Sequence, residues 1–231
     1  MAGAVMALSG LTAGMAGIKG EYRPSVSILG DSYSTFEGYC EPDTNHIWYF
    51  ADPDTARTDV SDVSQTWWHI FLKENGLRLC KNNSFSGATL CYTGYRKEDY
   101  SNRSFLNRAT ELGNPDMILI FGGTNDSWAK SPVGEYNFGR KGEEEFKAVR
   151  PALDQMLERV LNRYPNVPVY FLVNDGLSPE VTESIHTLCR RHGVPALQLE
   201  GIDKKRSHPT VKGMRQIADQ LNAFLAAQEE K

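Results

Sequence analysis

The sequence has no excess of positive charge and few cysteines. Its 231 residues carry 25 Lys and Arg against 29 Asp and Glu, a formal net charge of −4. Nucleic-acid binding usually requires a basic excess or stripe, so we expect no nucleic-acid partner. The four cysteines, Cys40, Cys80, Cys91 and Cys189, form no C-x-x-C pair and have no histidine cluster beside them. A disulfide framework and a zinc site are therefore not indicated, and we expect neither a metal nor a cofactor.

A hydrophobic run suited to a membrane span is also lacking. The most apolar stretch, residues 1–20, is rich in Ala, Gly, Met and Leu but is too short and too glycine-rich to span a bilayer. It resembles the apolar core of a secretory signal without the cationic start. We interpret it as an export signal, with a lipid-facing anchor or a cytoplasmic leader as alternatives. Residues 21–231 are then a single domain, periplasmic or extracellular and without an integral membrane segment.

The remaining chain alternates apolar strand-like runs with helical patterns. The predicted strands are residues 25–29, 77–81, 117–121, 167–173 and 194–199. The predicted helices are residues 67–72, 103–112, 142–164, 179–191 and 210–227. The continuous apolar run Met117–Phe121 is typical of a strand covered on both faces. This alternation predicts a three-layer α/β/α sandwich around a five-stranded parallel sheet.

Four residues that could take part in catalysis follow strands of this predicted sheet. Ser32 follows the first strand, Gly87 the second, Asn125 the third and His208 the fifth. Ligands of such sheets bind beyond the carboxyl ends of the strands, so we expect these four residues to converge. Each alone is more often structural, because Gly, Asp, Ser and Asn are ordinary turn and cap residues. Their joint occurrence at one predicted edge favours a catalytic site.

These residue types suit acyl transfer. A serine hydroxyl needs a neighbouring base to become a nucleophile, and histidine titrates near neutrality. The backbone N–H groups of Ser32 and Gly87 and the Asn125 amide could hold a tetrahedral oxyanion. No G-x-S-x-G sequence occurs, so the nucleophile elbow of α/β-hydrolases is not indicated.

At these positions the chain resembles the SGNH, or GDSL-type, hydrolase family. Gly30-Asp31-Ser32 is similar to its first block, Gly87 to its second, Gly123-Thr124-Asn125-Asp126 to its G-x-N-D block, and His208-Pro209 to the end of its last block. The resemblance implies a flavodoxin-like fold and metal-independent ester hydrolysis by esterases, lipases or carbohydrate deacetylases. It implies that Ser32 is the nucleophile and His208 the base. Ser32, Gly87 and Asn125 would then form the oxyanion hole.

The acidic member of the triad departs from the family pattern. The last block of the family is D-x-x-H, but Lys205 occupies the position three residues before His208. The nearest acid is Asp203, whose side chain would lie on the opposite face of an extended segment. A turn in between could bring Asp203 back as the orienter of the histidine. The alternative is a Ser–His dyad supported by a backbone carbonyl.

Aromatic residues in two loops indicate the substrate class. Residues 33–62 and 127–142 form long connections that contain Tyr33, Trp48 and Trp128. Aromatic rings mixed with polar groups suit a sugar better than a long acyl chain, so we expect a small-molecule or glycan ester, such as an acetylated carbohydrate. Short-chain or lysophospholipid esters are the alternative. The same aromatics could instead pack the loops onto the sheet. The sequence leaves the oligomeric state open.

Two hypotheses from other classes remain. A non-catalytic glycan-binding module on the same fold would explain the missing D-x-x-H aspartate, but binding alone does not require Ser32, Gly87, Asn125 and His208 together. A flavodoxin-like nucleotide binder would need a phosphate-binding glycine motif, and the chain contains neither G-x-G-x-x-G nor a P-loop.

Overall fold

A parallel sheet of five strands forms the centre of the molecule. The computed structural model describes residues 22–229. Its strands are β1 (Ser25–Gly30), β2 (Arg78–Ser84), β3 (Met117–Gly122), β4 (Val169–Val173) and β5 (Ala196–Gln198). Their order, β2-β1-β3-β4-β5, is that of flavodoxin-like sheets, and every neighbouring pair is parallel. The predicted fold class is confirmed. The export signal predicted for residues 1–20 lies outside the described residues.

Helices cover both faces of the sheet. They are α1 (Trp67–Glu74), α2 (Phe105–Arg108), α3 (Thr124–Ala129), α4 (Val149–Arg163), α5 (Pro179–His192) and α6 (Val211–Glu229). Two predicted helices are shorter than expected. The segment 142–164 is divided by Ala148, which is extended (φ −115°, ψ 149°), and α2 has only four residues. No helix in the described part of the chain is long and apolar enough to cross a membrane.

The alternation of side chains along β3 explains the two hydrophobic cores. Ile118 and Ile120 point towards the layer of α4 and α5, while Leu119 and Phe121 point towards the layer of α1 and α6. All four side chains are fully buried. Both faces of the strand are therefore apolar, which is why its sequence is a continuous hydrophobic run.

A small hairpin precedes α6 and was not predicted. Its strands are β6 (Lys204–Lys205) and β7 (His208–Pro209), which pair antiparallel. The two residues between them, Arg206 and Ser207, have φ values of 49° and 62°. Such a two-residue turn normally contains Asn-Gly or a similar pair, so the sequence carries no signal for it. The hairpin places His208 at the carboxyl edge of the main sheet.

Candidate active site

Ser32 and His208 meet at the carboxyl edge of the sheet. Ser32 begins a three-residue 3₁₀ turn directly after β1, and Asp31 caps this turn by accepting the Tyr33 N–H at 3.0 Å. The Ser32 Oγ lies 2.9 Å from Nε2 of His208. Both residues are almost completely buried. This is the distance at which a histidine can take a proton from a serine hydroxyl.

The second ring nitrogen of His208 faces a backbone carbonyl. Its Nδ1 lies 3.0 Å from the carbonyl oxygen of Arg206. A carbonyl oxygen can only accept, so Nδ1 carries the proton and Nε2 presents its lone pair to the Ser32 hydroxyl. The positive φ of Arg206 turns this carbonyl back towards the ring that follows two residues later. The arrangement is that of a Ser–His dyad supported by a backbone carbonyl.

The structure does not bring Asp203 to the histidine. The hairpin register pairs His208 with Lys205, which leaves Asp203 opposite Thr210. The Asp203 carboxylate accepts the Thr210 hydroxyl, and its backbone oxygen accepts the Thr210 N–H at 3.1 Å. The prediction that Asp203 orients His208 is therefore corrected: a turn does form, but at Arg206 and Ser207, and it carries the carboxylate past the imidazole.

Trp48 stacks on the imidazole of His208. The two ring centroids are 3.6 Å apart and the planes differ by 7°. The Arg57 guanidinium lies 4.1 Å from the Trp48 ring centroid, and it occupies the opposite face because the imidazole fills the first. The Trp48 side chain is half-buried, and its predicted role in substrate binding stays a prediction. Its backbone N–H is fixed by the Thr35 hydroxyl at 2.9 Å.

Tyr33 and Trp128 border the other side of His208. Tyr33 is fully buried, and its hydroxyl donates to the Ser207 carbonyl. It anchors the hairpin and offers no surface to a ligand, which corrects its predicted contact with substrate. Trp128 is 38% exposed, and its ring centroid lies 5.8 Å from that of His208. Of the three predicted aromatic contacts, Trp128 is the most exposed, Trp48 is half-buried and Tyr33 is buried.

The surroundings of His208 disfavour its charged form. Burial lowers the pKa of its imidazole to about 4, and the positive charges of Arg57 and Lys204 act in the same direction. The hydrogen bond to the Arg206 carbonyl acts against them. Lys204 is itself paired with Asp175. His208 is consequently neutral at pH 7, which is the protonation state of a general base.

Three groups that could stabilise an oxyanion follow the adjacent strands β1, β2 and β3. In the described part of the chain, the backbone N–H groups of Ser32 and Gly87 donate to no protein acceptor. Gly87 has φ +84°, a left-handed conformation that side chains rarely adopt. Asn125, in the first turn of α3, is buried, and its Nδ2 donates to the Ala88 carbonyl at 3.0 Å. One Nδ2 proton remains for another acceptor.

A buried aspartate, Asp31, and a buried arginine, Arg108, lie at the end of β1, next to the turn that carries Ser32. Arg108 is 5% exposed and donates to the backbone carbonyls of Gly30 and Asn83, which ties the ends of β1 and β2 together. Asp31 is fully buried, and its Oδ2 has no hydrogen-bond partner. Burial raises the pKa of Asp31 to about 7. Sequence reasoning missed Arg108, since nothing in its helical context marks it as buried.

The chain combines a three-layer α/β/α fold with a Ser–His pair at the carboxyl edge of its sheet. Residues 24–225 match the family described as GDSL-like Lipase/Acylhydrolase. The chain belongs to this family, in agreement with the resemblance seen in its motifs. No curated protein gives a sequence match.

Two solved structures are similar over nearly the whole chain. A protein of Bacteroides ovatus assigned to the GDSL-like lipases is 52% identical, with a TM-score of 0.88; the match covers 90% of this chain and 100% of that one. A protein of Bacteroides uniformis with the same assignment is 44% identical, with a TM-score of 0.86 and coverages of 90% and 97%. An acetyl xylan esterase of Butyrivibrio proteoclasticus shares the fold at 18% identity, with a TM-score of 0.57 and coverages of 90% and 64%.

Proposed function

We propose that this chain is a serine esterase that cleaves carboxylic esters through an acyl-enzyme, with Ser32 as nucleophile and His208 as base. The observation that carries the proposal is the 2.9 Å distance between Ser32 Oγ and His208 Nε2. It is supported by a neutral histidine whose other nitrogen is held by the Arg206 carbonyl. A binding module would need neither feature.

The reaction follows from these contacts. The Ser32 oxygen attacks the ester carbonyl carbon while its proton passes to Nε2 of His208. The carbonyl oxygen becomes an oxyanion that the N–H groups of Ser32 and Gly87 and the Asn125 amide stabilise. The protonated histidine then gives its proton to the leaving alkoxide, which departs as an alcohol. Water, deprotonated by His208, hydrolyses the acyl-serine and restores the free hydroxyl.

Among residues 22–229, no carboxylate is hydrogen-bonded to the ring of His208, which becomes an imidazolium during each half-reaction. The Nδ1–H of His208 instead points along the dipole of the Arg206 carbonyl. The π face of Trp48 covers the ring, where a cation is favoured. Together these contacts fix the ring plane and the tautomer, which is the orienting function of the acid in a triad.

A carbohydrate ester with a small acyl group, such as acetate, is the substrate class that the surface supports best. The exposed large hydrophobic side chains of residues 22–229 are all aromatic: Tyr22, Tyr39, Phe50, Trp128 and Phe138. An aromatic face beside the dyad, as Trp128 offers, suits stacking on a sugar ring. A long acyl chain would need aliphatic surface instead. The acetyl xylan esterase that shares the fold agrees with this class without establishing it.

The test is hydrolysis of p-nitrophenyl acetate, butyrate and octanoate and of acetylated xylan at pH 7.5. We expect Ser32→Ala to abolish turnover and the acetate ester to be cleaved fastest. Ser86→Ala is the matched control, because this neighbouring hydroxyl makes no hydrogen bond within the described chain. Faster cleavage of octanoate would favour a lipid substrate. Equal activity of Ser32→Ala and the wild type would exclude Ser32 as nucleophile, and inactivity of every form would favour a glycan-binding module.

A further inference from the structure

The amide of Asn125 is held from two sides. Its Oδ1 accepts the Tyr95 hydroxyl at 3.0 Å, and its Nδ2 donates to the Ala88 carbonyl at 3.0 Å. A carbonyl oxygen cannot donate, so the Ala88 contact requires the NH₂ end of the amide, and Tyr95 meets the oxygen end. This pair of contacts fixes both the rotation and the flip of the Asn125 side chain.

We propose that Tyr95 is a positioning residue for catalysis, holding the Asn125 amide so that its free N–H faces the oxyanion of the transition state. The inference rests on the proposed esterase function. An oxyanion donor is effective when it is aligned before charge develops, because reorientation during the reaction costs free energy. If the Tyr95 hydroxyl were absent, the Ala88 contact alone would restrain the amide, and its free N–H could turn away from the oxyanion.

The loop that carries Tyr95 is built as a tight hairpin. Tyr100 N–H donates to the Tyr92 carbonyl at 2.7 Å, and Gly94 N–H donates to the Glu98 carbonyl at 2.9 Å. A Cβ atom at Gly94 would lie 2.3 Å from the Tyr100 ring, so only glycine allows this approach. The hairpin segment next to Tyr95 is therefore closely packed.

The turn of this hairpin is strained in the same way as the turn beside His208. Arg96 and Lys97 have φ values of 56° and 61°. Within residues 22–229, the only other adjacent pair of non-glycine residues with positive φ is Arg206 and Ser207. Left-handed non-glycine residues persist where the surrounding structure enforces them, and they concentrate at functional sites. One pair includes Arg206, whose carbonyl contacts His208, and the other directly follows Tyr95, whose hydroxyl contacts Asn125.

The Tyr95 hydroxyl stays protonated over the working pH range. Burial raises its pKa to about 12, and the nearby carboxylate of Asp31 adds to the effect. It is thus a donor to Asn125 at pH 7.5, where His208 is neutral.

The experiment compares Tyr95→Phe with Tyr100→Phe in hydrolysis of p-nitrophenyl acetate. Tyr100 packs beside Tyr95, with ring centroids 6.4 Å apart and planes tilted by 54°, and its hydroxyl has no hydrogen bond in the described chain. We expect Tyr95→Phe to lower kcat about threefold to tenfold, the worth of one net hydrogen bond, with KM within about twofold. Tyr100→Phe should leave both constants within about twofold. An unchanged kcat in Tyr95→Phe would overturn the proposal.

The double variant shows whether Tyr95 acts through Asn125. In an Asn125→Ala background, Tyr95→Phe should change kcat by less than about twofold, because the group that it positions is gone. If Tyr95→Phe lowers kcat by the same factor in both backgrounds, its effect does not pass through Asn125 and the proposal fails.

A readout independent of activity separates this inference from the proposed function. The side-chain NH₂ signals of Asn125 can be assigned in ¹H–¹⁵N spectra by their loss in Asn125→Ala. We expect them to shift in Tyr95→Phe and to stay in place in Tyr100→Phe; unchanged signals in Tyr95→Phe would contradict the positioning role. A protein with no esterase activity would refute the proposed function, and the spectra would still decide whether Tyr95 orients the amide.

Discussion

The two halves of the site are held in place by different kinds of interaction. The histidine half consists of His208, the Arg206 carbonyl, Trp48 and Arg57. The imidazole is held by one hydrogen bond to the Arg206 carbonyl and by stacking on Trp48, and the Arg57 guanidinium lies over the Trp48 ring. The oxyanion half consists of Ser32, Gly87, Asn125 and Tyr95. There, hydrogen bonds fix the Asn125 side chain at both ends.

The difference follows from what each half does. An oxyanion donor needs directional alignment, which only hydrogen bonds supply. A general base needs a fixed ring plane and a fixed tautomer. One carbonyl determines the tautomer, and stacking restrains the plane without a buried carboxylate. In the proposed mechanism, the Arg206 carbonyl and Trp48 therefore take the tautomer-fixing and orienting roles of a triad acid.

The largest effect is expected in the oxyanion half. Asn125→Ala removes a preorganised donor, so we expect kcat for p-nitrophenyl acetate to fall by about 10²–10³, with little change in KM. Steady-state kinetics at pH 7.5, with the rate of Ser32→Ala subtracted, measure this change. A loss carried mainly by KM would mean that Asn125 binds the ground state rather than the transition state.

The pH dependence of kcat/KM tests the protonation state of His208. The pKa of His208 is about 4 in the fold, below the ordinary value of the imidazole, so the neutral base persists as the pH falls towards 4. At pH 5.5 an ordinary histidine would be only about one-tenth neutral, whereas His208 should be almost fully neutral. We expect kcat/KM to stay level down to about pH 5 and to fall near pH 4. Because the pKa of Asp31 is about 7, the profile is also measured in Asp31→Asn, and an acid limb between pH 6 and 7 that persists in this variant would contradict the low pKa of His208.

A smaller effect on kcat is expected when the stacking of Trp48 on His208 is removed. Trp48→Leu removes the flat face against His208, and we expect kcat to fall about threefold to tenfold, in line with the worth of one aromatic contact. Water would also reach the imidazole, so the acid limb of kcat/KM should move to higher pH. Trp128→Leu is the matched control. It should raise KM for a carbohydrate ester and leave the acid limb in place.

The sequence predicted the parts of the site that depend on strand ends. β3 carries a strong apolar signal, β1 a shorter one and the largely polar β2 a weak one, and the residues that follow these strands lie at one sheet edge whatever the loops do in detail. Ser32, Gly87, Asn125 and His208 are found there. Their catalytic roles stay predictions until they are measured.

The sequence did not predict the parts that depend on loop geometry. The turn at Arg206 and Ser207 contains no glycine or asparagine, so nothing in the sequence indicated that a carbonyl would face His208. Trp48 and Tyr95 lie in long connections, where contact partners depend on tertiary packing rather than on local pattern. Asp203 was considered because it is near His208 in sequence, and hairpin register placed it elsewhere.

The most direct test of a dyad without an acid is the Asp203→Asn variant. Loss of the acid in a Ser–His–Asp triad lowers kcat by about 10⁴. The Asp203 carboxylate contacts Thr210 and not His208, and an asparagine oxygen can still accept the Thr210 hydroxyl. We expect kcat/KM of Asp203→Asn for p-nitrophenyl acetate at pH 7.5 to stay within about twofold of wild type. A loss of about 10³-fold or more, in a variant with unchanged melting temperature, would show that Asp203 completes a triad.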